Sequence, residues 1–247
     1  MSNSLRAKVG VLAGALVVAA CGLLAQPVAA QEGISIDFGP GESGSYARLL
    51  LLFAAIALAP AVLAVVTSFA RIAIVLFFMR AGLGSNDIPP TVVIIGLAIF
   101  LTVFTMAPQM DQAYSQAIAP YLAGELELEA ASSSFVEQLR GYMGAHTRPA
   151  DLAVFEEFKP QRAANQAVPM GTLVPAFIIS ELRAAFLIGF IIYLPFLVID
   201  LVVGSTLASV GLVSLPAPAI ALPFKVLLFV MVDGWALLTG SLLATML

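Results

Sequence analysis

The sequence predicts an all-α, integral-membrane-type protein whose helices are broken by proline and folded into helical hairpins. Three observations predict this class. Of 247 residues, 61% are hydrophobic and 11% charged, with a mean hydropathy of +1.03, whereas soluble domains carry about 25% charged residues. The apolar residues fall into runs at Tyr46–Met79, Thr91–Met110, Thr172–Val213 and Ile220–Leu247. Tyr46–Met79 and Thr172–Val213 are far too long for one perpendicular crossing of ~20 residues. Finally, Arg71, Glu181, Arg183, Asp200, Lys225 and Asp233 lie stranded within the apolar runs. Each such group costs about 2.5–3.5 kcal/mol at bilayer depth, so it faces protein or water rather than lipid.

Residues 1–30 read as a secretory signal peptide: Arg6 and Lys8 start it, an apolar run follows to Ala25, and Val28-Ala29-Ala30 precede a cut. An uncleaved anchor is the alternative, and Val18-Ala19-Ala20-Cys21 resembles a lipobox. Cys21 is the only cysteine, which excludes a disulfide framework and a thiolate metal site. Residues 31–45, rich in Gly and Ser, form a flexible arm. The first hydrophobic region spans 46–110, where Pro60 is expected to kink or break a helix and Pro108 to interrupt the next one. Arg71 has two readings there, snorkelling to the interface beside Arg80 or a buried ion pair.

Residues 111–171 form a polar, acidic segment. From Asp111 to Arg162 there are eight acidic and four basic residues, which accounts for the chain's net charge of −4. Amphipathic helices are expected at Phe135–Met143 and Asp151–Lys159, with Asp151 as a candidate N-cap. The second hydrophobic region, 172–247, contains Pro175 and Pro195 and ends in one helix over Ile220–Leu247. Ala185 with Gly189, and Gly204 with Ala208 and Gly211, form small-residue stripes that let helices approach closely. On a helix Glu181 and Arg183 point to opposite sides. Arg183 and Asp200 are about 25 Å apart along the rise, so their partners lie on other segments or other chains. A cleaved leader places the mature N-terminus outside; Arg71, Arg80 and Lys225 then flank cytoplasmic turns and the acidic segment is periplasmic.

Enzyme chemistry has little to work with. The sole histidine, His146, has no second His to share a metal, and reads as a solvated loop residue. Neither a Walker A nor a GxSxG sequence occurs. Gly39-Pro40-Gly41-Glu42-Ser43-Gly44 matches GxGxxG, but the next residues are apolar and helical instead of a βαβ unit. Asp200 and Asp233 sit in different contexts and do not read as a catalytic pair. No cofactor or metal is expected, and a pI near 4.9 argues against nucleic acid.

Several motifs, in order, carry a resemblance. They are Thr67-Ser68-Phe69-Ala70-Arg71-Ile72, the Pro89-Pro90 turn, Ala167-Val168-Pro169-Met170 and Pro175-Ala176-Phe177-Ile178-Ile179-Ser180-Glu181-Leu182. Gly189-Phe190, Leu194-Pro195-Phe196-Leu197-Val198-Ile199-Asp200, Ala221-Leu222-Pro223-Phe224-Lys225 and Val232-Asp233-Gly234-Trp235 complete the set. From about Leu49 to the end the chain resembles the FliP family, export-gate subunits of flagellar type III secretion. The leader and arm favour the flagellar branch over virulence-system relatives.

The resemblance implies a pore-forming subunit in a ring-shaped or helical homo-oligomer, in the inner membrane at the flagellar basal body. It also implies FliQ-type, FliR-type and FlhB-type partner subunits, and unfolded flagellar proteins as cargo. In this family the turn between the last two apolar regions often carries consecutive methionines as a gasket. Here Leu212, Val213 and Ser214 stand there, with Leu215 after them, and the resemblance assigns these four to the gate constriction. Leu and Val form a dewetted apolar constriction, which Ser214 weakens. Arg71, Glu181, Arg183, Asp200, Lys225 and Asp233 are expected to form intersubunit ion pairs that set the ring's register. Two other readings stand beside this one: an ion- or proton-coupled secondary transporter of a small solute, for which internal repeats are the usual sign, and a scaffold without a pore.

Overall fold

The computed structural model describes residues 43–85, 88–158, 167–212 and 214–246, and these are helical with no strand. The leader and most of the arm lie outside them. The helices are α1 (Ser43–Val66), α2 (Phe69–Leu83), α3 (Thr91–Thr105), α4 (Ala107–Ala113), α5 (Ala119–Leu122), α6 (Leu128–His146), α7 (Pro149–Glu156), α8 (Met170–Ser209), α9 (Ala217–Met231) and α10 (Gly234–Ala244), with a π-helical turn Tyr114–Ile118 joining α4 to α5. The described residues fall into two compact units, one of residues 43–66 and 108–145, the other of residues 67–107 and 146–246.

In the first unit the helix expected at Phe135–Met143 is the middle of α6. Ala131, Phe135, Val136, Leu139, Tyr142 and Met143 are buried at helical spacing. Gln116 on the π turn anchors this helix: its side-chain oxygen accepts from the Gln138 amide and its carbonyl from the Ser134 hydroxyl. Glu125, Glu127 and Glu129 are exposed. α1 runs through Pro60 unbroken and ends at Val66. The break comes at Thr67-Ser68, where Thr67 Oγ1 accepts the Phe69 amide at 3.3 Å, a local bond that competes with helix continuation.

The second unit is built around α2. Ile72, Ala73, Val75, Leu76, Met79 and Leu83 are buried on nearly every side of it, as expected of a helix enclosed by others. α3 returns antiparallel to it. Ser68 and Thr105 share a 2.8 Å hydroxyl bond at one end of this hairpin, and Arg80 Nη1 donates to Thr91 Oγ1 at 2.6 Å at the other. α8 lies parallel to α2: Phe78 meets Phe186 edge-on at 5.4 Å, and Phe196 packs over Gly82. A Cβ on Gly189 would stand 2.6 Å from the Phe78 ring. The Ala185–Gly189 stripe is thus used within the chain, to seat α2. α9 runs antiparallel to α8, burying Ala221, Lys225 and Phe229 along one face.

Two expectations about helix ends are corrected. Pro195 does not interrupt the third apolar run, because α8 is a single helix of 40 residues; Phe196, buried beside it against α2 and α9, holds the neighbouring turn in place. The run Ile220–Leu247 is not one helix, since the chain turns by 63° between α9 and α10 at Asp233, whose φ is +49°. Among the described residues α8 alone is long and apolar enough to cross a membrane. The runs Ile56–Leu83, Thr91–Leu122 and Ala217–Ala244 qualify by length and composition only when the helices on both sides of a break are taken together. At 1.5 Å per residue α8 extends about 60 Å, roughly twice a hydrocarbon core.

Candidate gate loop and ion-pair ladder

α8 is tied to three other helices by three ion pairs. Near its start, both carboxylate oxygens of Glu181 accept from Arg71 of α2: Nε donates to Oε2 at 2.8 Å and Nη2 to Oε1. This fork-to-fork arrangement is the strongest geometry available to the two groups. Arg71 also donates through Nη1 to the Thr245 carbonyl at 3.0 Å, so the same guanidinium holds the end of the chain. Both side chains are almost wholly removed from solvent, which settles the choice for Arg71 in favour of a buried pair over snorkelling.

Two residues on, Arg183 points the other way, as the helical spacing requires, and meets Asp151 of α7 at 3.0 Å. Asp151 was expected to cap α7, yet Arg148 occupies the N-cap position without a side-chain bond. Asp151 instead sits within the first turn, buried, and accepts from Ser180 Oγ at 2.9 Å and from Arg183. Ser180 Oγ in turn accepts the Arg148 amide at 3.0 Å. A carboxylate with two donors on α8 has less to gain from its own helix end. His146, expected in a loop, is the last residue of α6 and half-buried.

Near the far end of α8, Lys225 of α9 donates to Asp200 Oδ2 at 2.7 Å. Lys225 is buried, and a Cβ on Gly84, the αL residue that ends α2 at φ +76°, would lie 3.2 Å from its ammonium. The lysine thus meets the carbonyl-rich end of α2, where a cation is favoured. Asp200 is drawn to Lys225, and the exposed Asp233 sits at the α9–α10 break.

Four of the six charges expected to pair between subunits therefore find each other inside one chain, Arg71 with Glu181 and Asp200 with Lys225. The physical reason is that parallel α2 and antiparallel α9 bring distant segments to the same levels of α8. Arg183 also pairs within the chain, but 58% of its side chain stays exposed. Ser180, Asp151 and the Thr245 carbonyl are the partners that sequence reasoning missed. A lone acid in an amphipathic segment hinted at Asp151; a backbone carbonyl has no sequence signal.

The loop between α8 and α9 is held as firmly at its start. The Leu212 amide bonds to the Leu207 carbonyl at 2.9 Å and the Gly211 amide to that of Ala208 at 3.1 Å, with Gly211 at φ +79°. This is a Schellman stop, which needs a residue that tolerates the left-handed conformation. It leaves Leu212 and Leu215 nearly half exposed and Ser214 exposed. Val213 lies outside the described residues. Gly211 ends the helix, so the Gly204–Ala208–Gly211 stripe is not a helix-packing face along its whole length.

Among the described residues no group of His, Cys, Asp and Glu is placed to hold a metal. The chain matches the FliP family over residues 52–242. It is 45% identical to "Flagellar biosynthetic protein FliP" of Bacillus subtilis (strain 168) over 208 residues, 83% of this chain and 93% of that relative. It is 39% identical to the protein of the same name from Caulobacter vibrioides over 231 residues, 92% of this chain and 87% of that one. The likeness to the Pectobacterium carotovorum protein of that name is 45% over 197 residues, 79% and 76% of the two chains. With the match spanning both hydrophobic regions and the segment between them, the chain belongs to the FliP family.

Proposed function

We propose that this chain is a pore-forming subunit of the flagellar type III protein export gate, passing unfolded flagellar proteins across the inner membrane. The observation that carries this reading is the likeness over most of the chain to relatives named as flagellar biosynthetic proteins. Several copies form the ring, joined by FliQ-type, FliR-type and FlhB-type subunits, with the acidic segment 111–171 facing the periplasm. Large apolar side chains stand exposed along α8, among them Phe186, Leu187, Phe190, Leu201 and Val202. An apolar face of that extent belongs against lipid or protein, not water. The subunit performs no covalent chemistry; it conducts.

Leu212, Val213, Ser214 and Leu215 form the closed constriction. The Schellman stop at Gly211 gives the loop a fixed root, and exposed leucines on a rigid root exclude water by dewetting. Because Arg71, Glu181, Asp200 and Lys225 are paired within the chain, the contacts that set ring register fall to the exposed Arg183 and Asp233. Replacing both Leu212 and Val213 with Gly removes the apolar plug while leaving Gly211 in place. Increased small-molecule leak in non-secreting cells is the expected result; unchanged leak would remove these residues from the seal.

A further inference from the structure

The break between α9 and α10 is not written into the chain by proline, since none follows Pro223. It rests on Asp233, held at φ +49°, ψ +54° with no side-chain cap bond to the helix that follows. Non-glycine residues seldom adopt this conformation. The next residue, Gly234, lies so close to the Phe229 ring that a Cβ there would overlap it. Phe229 also meets Trp235 edge-on at 5.3 Å across the break. The strained turn is therefore held by what α10 does beyond it. Leu238, Leu242 and Met246 enter the core, and the Thr245 carbonyl accepts from Arg71.

From these contacts we infer that α10 is a strap hinged at Asp233, which closes over the Arg71–Glu181 pair and opens by straightening onto α9. Strain at the hinge opposes the closed form, and the core contacts with the Arg71 bond oppose the open one. In the open form Ala217–Ala244 is one helix of about 42 Å, enough to cross a hydrocarbon core. Opening withdraws the Thr245 carbonyl from Arg71, so the position of the strap is coupled to the most buried ion pair in the unit. The inference stands apart from the export reading, because it concerns only contacts inside this chain.

The test is a distance across the hinge in the full chain. Spin labels on Ala219→Cys and Ala244→Cys, both exposed positions, are introduced with Cys21→Ser and diluted with unlabelled chain in detergent. With a 63° bend the two α-carbons are about 32 Å apart, against about 37 Å for a straight helix. Asp233→Gly, which relieves the left-handed residue, is expected to give the shorter distance alone. Asp233→Val, which resists that conformation, is expected to move the distribution to the longer one. Gly234→Ala, which pushes the Phe229 ring aside, reaches the same state by a separate route. Distributions for Asp233→Val and Gly234→Ala that both superimpose on the parent would overturn the inference.

Discussion

A single chain carrying both Arg71→Glu and Glu181→Arg is expected to fold and accumulate far better than either single variant. Two singly substituted chains expressed together are expected not to rescue one another. Either change alone leaves two like charges face to face at a site almost closed to solvent. Removing one partner of such a pair costs about 3–5 kcal/mol, a large fraction of the 5–15 kcal/mol that holds a domain together. Thermal melting of the detergent-extracted protein reads the loss, and rescue by the double variant reads the pairing. Rescue in trans would place the pair between subunits. Because Arg71 also holds the Thr245 carbonyl, the swap is expected to restore most of the stability and not all of it.

Lys225→Met is the second large effect. It strands Asp200 beside α9, where Oδ2 loses its donor and Oδ1, already enclosed, has no hydrogen-bond partner. The cost is expected at the lower end of the buried-pair range, about 3 kcal/mol, because 30% of the Asp200 side chain remains exposed. Adding Asp200→Leu is expected to recover stability, since an apolar pair of similar volume replaces a buried ion pair at little or no cost. A double variant that melts as low as Lys225→Met alone would show that the lysine acts chiefly through the end of α2 at Gly84, not through Asp200.

The helices and the stranded charges were legible because both rest on composition and spacing. The apolar seam of α6 and the opposite faces of Glu181 and Arg183 follow from the 3.6-residue period alone. The partners were not legible, because pairing across 110 residues of sequence, as between Arg71 and Glu181, depends on which helices run side by side. Proline was an uneven guide to helix ends: the second apolar run does break beside Pro108, between Thr105 and Ala107. Pro60 and Pro195 lie inside continuous helices, while the breaks at Thr67-Ser68 and Asp233 occur where side-chain hydrogen bonds or core packing outweigh one more turn of helix. The gate loop was placed by resemblance, and Gly211 was read as part of a stripe because a glycine that ends a helix and one that packs a helix look alike in sequence.

Site-specific photocrosslinking tests the export reading most directly. A photoreactive residue at Leu212, on the loop, is compared with one at Leu187, on the outer apolar face of α8, while a flagellar cargo protein is stalled in transit. The expected result is a cargo adduct at Leu212 and none at Leu187. Cargo adducts at neither position, or only at Leu187, would contradict a conduit closed by this loop.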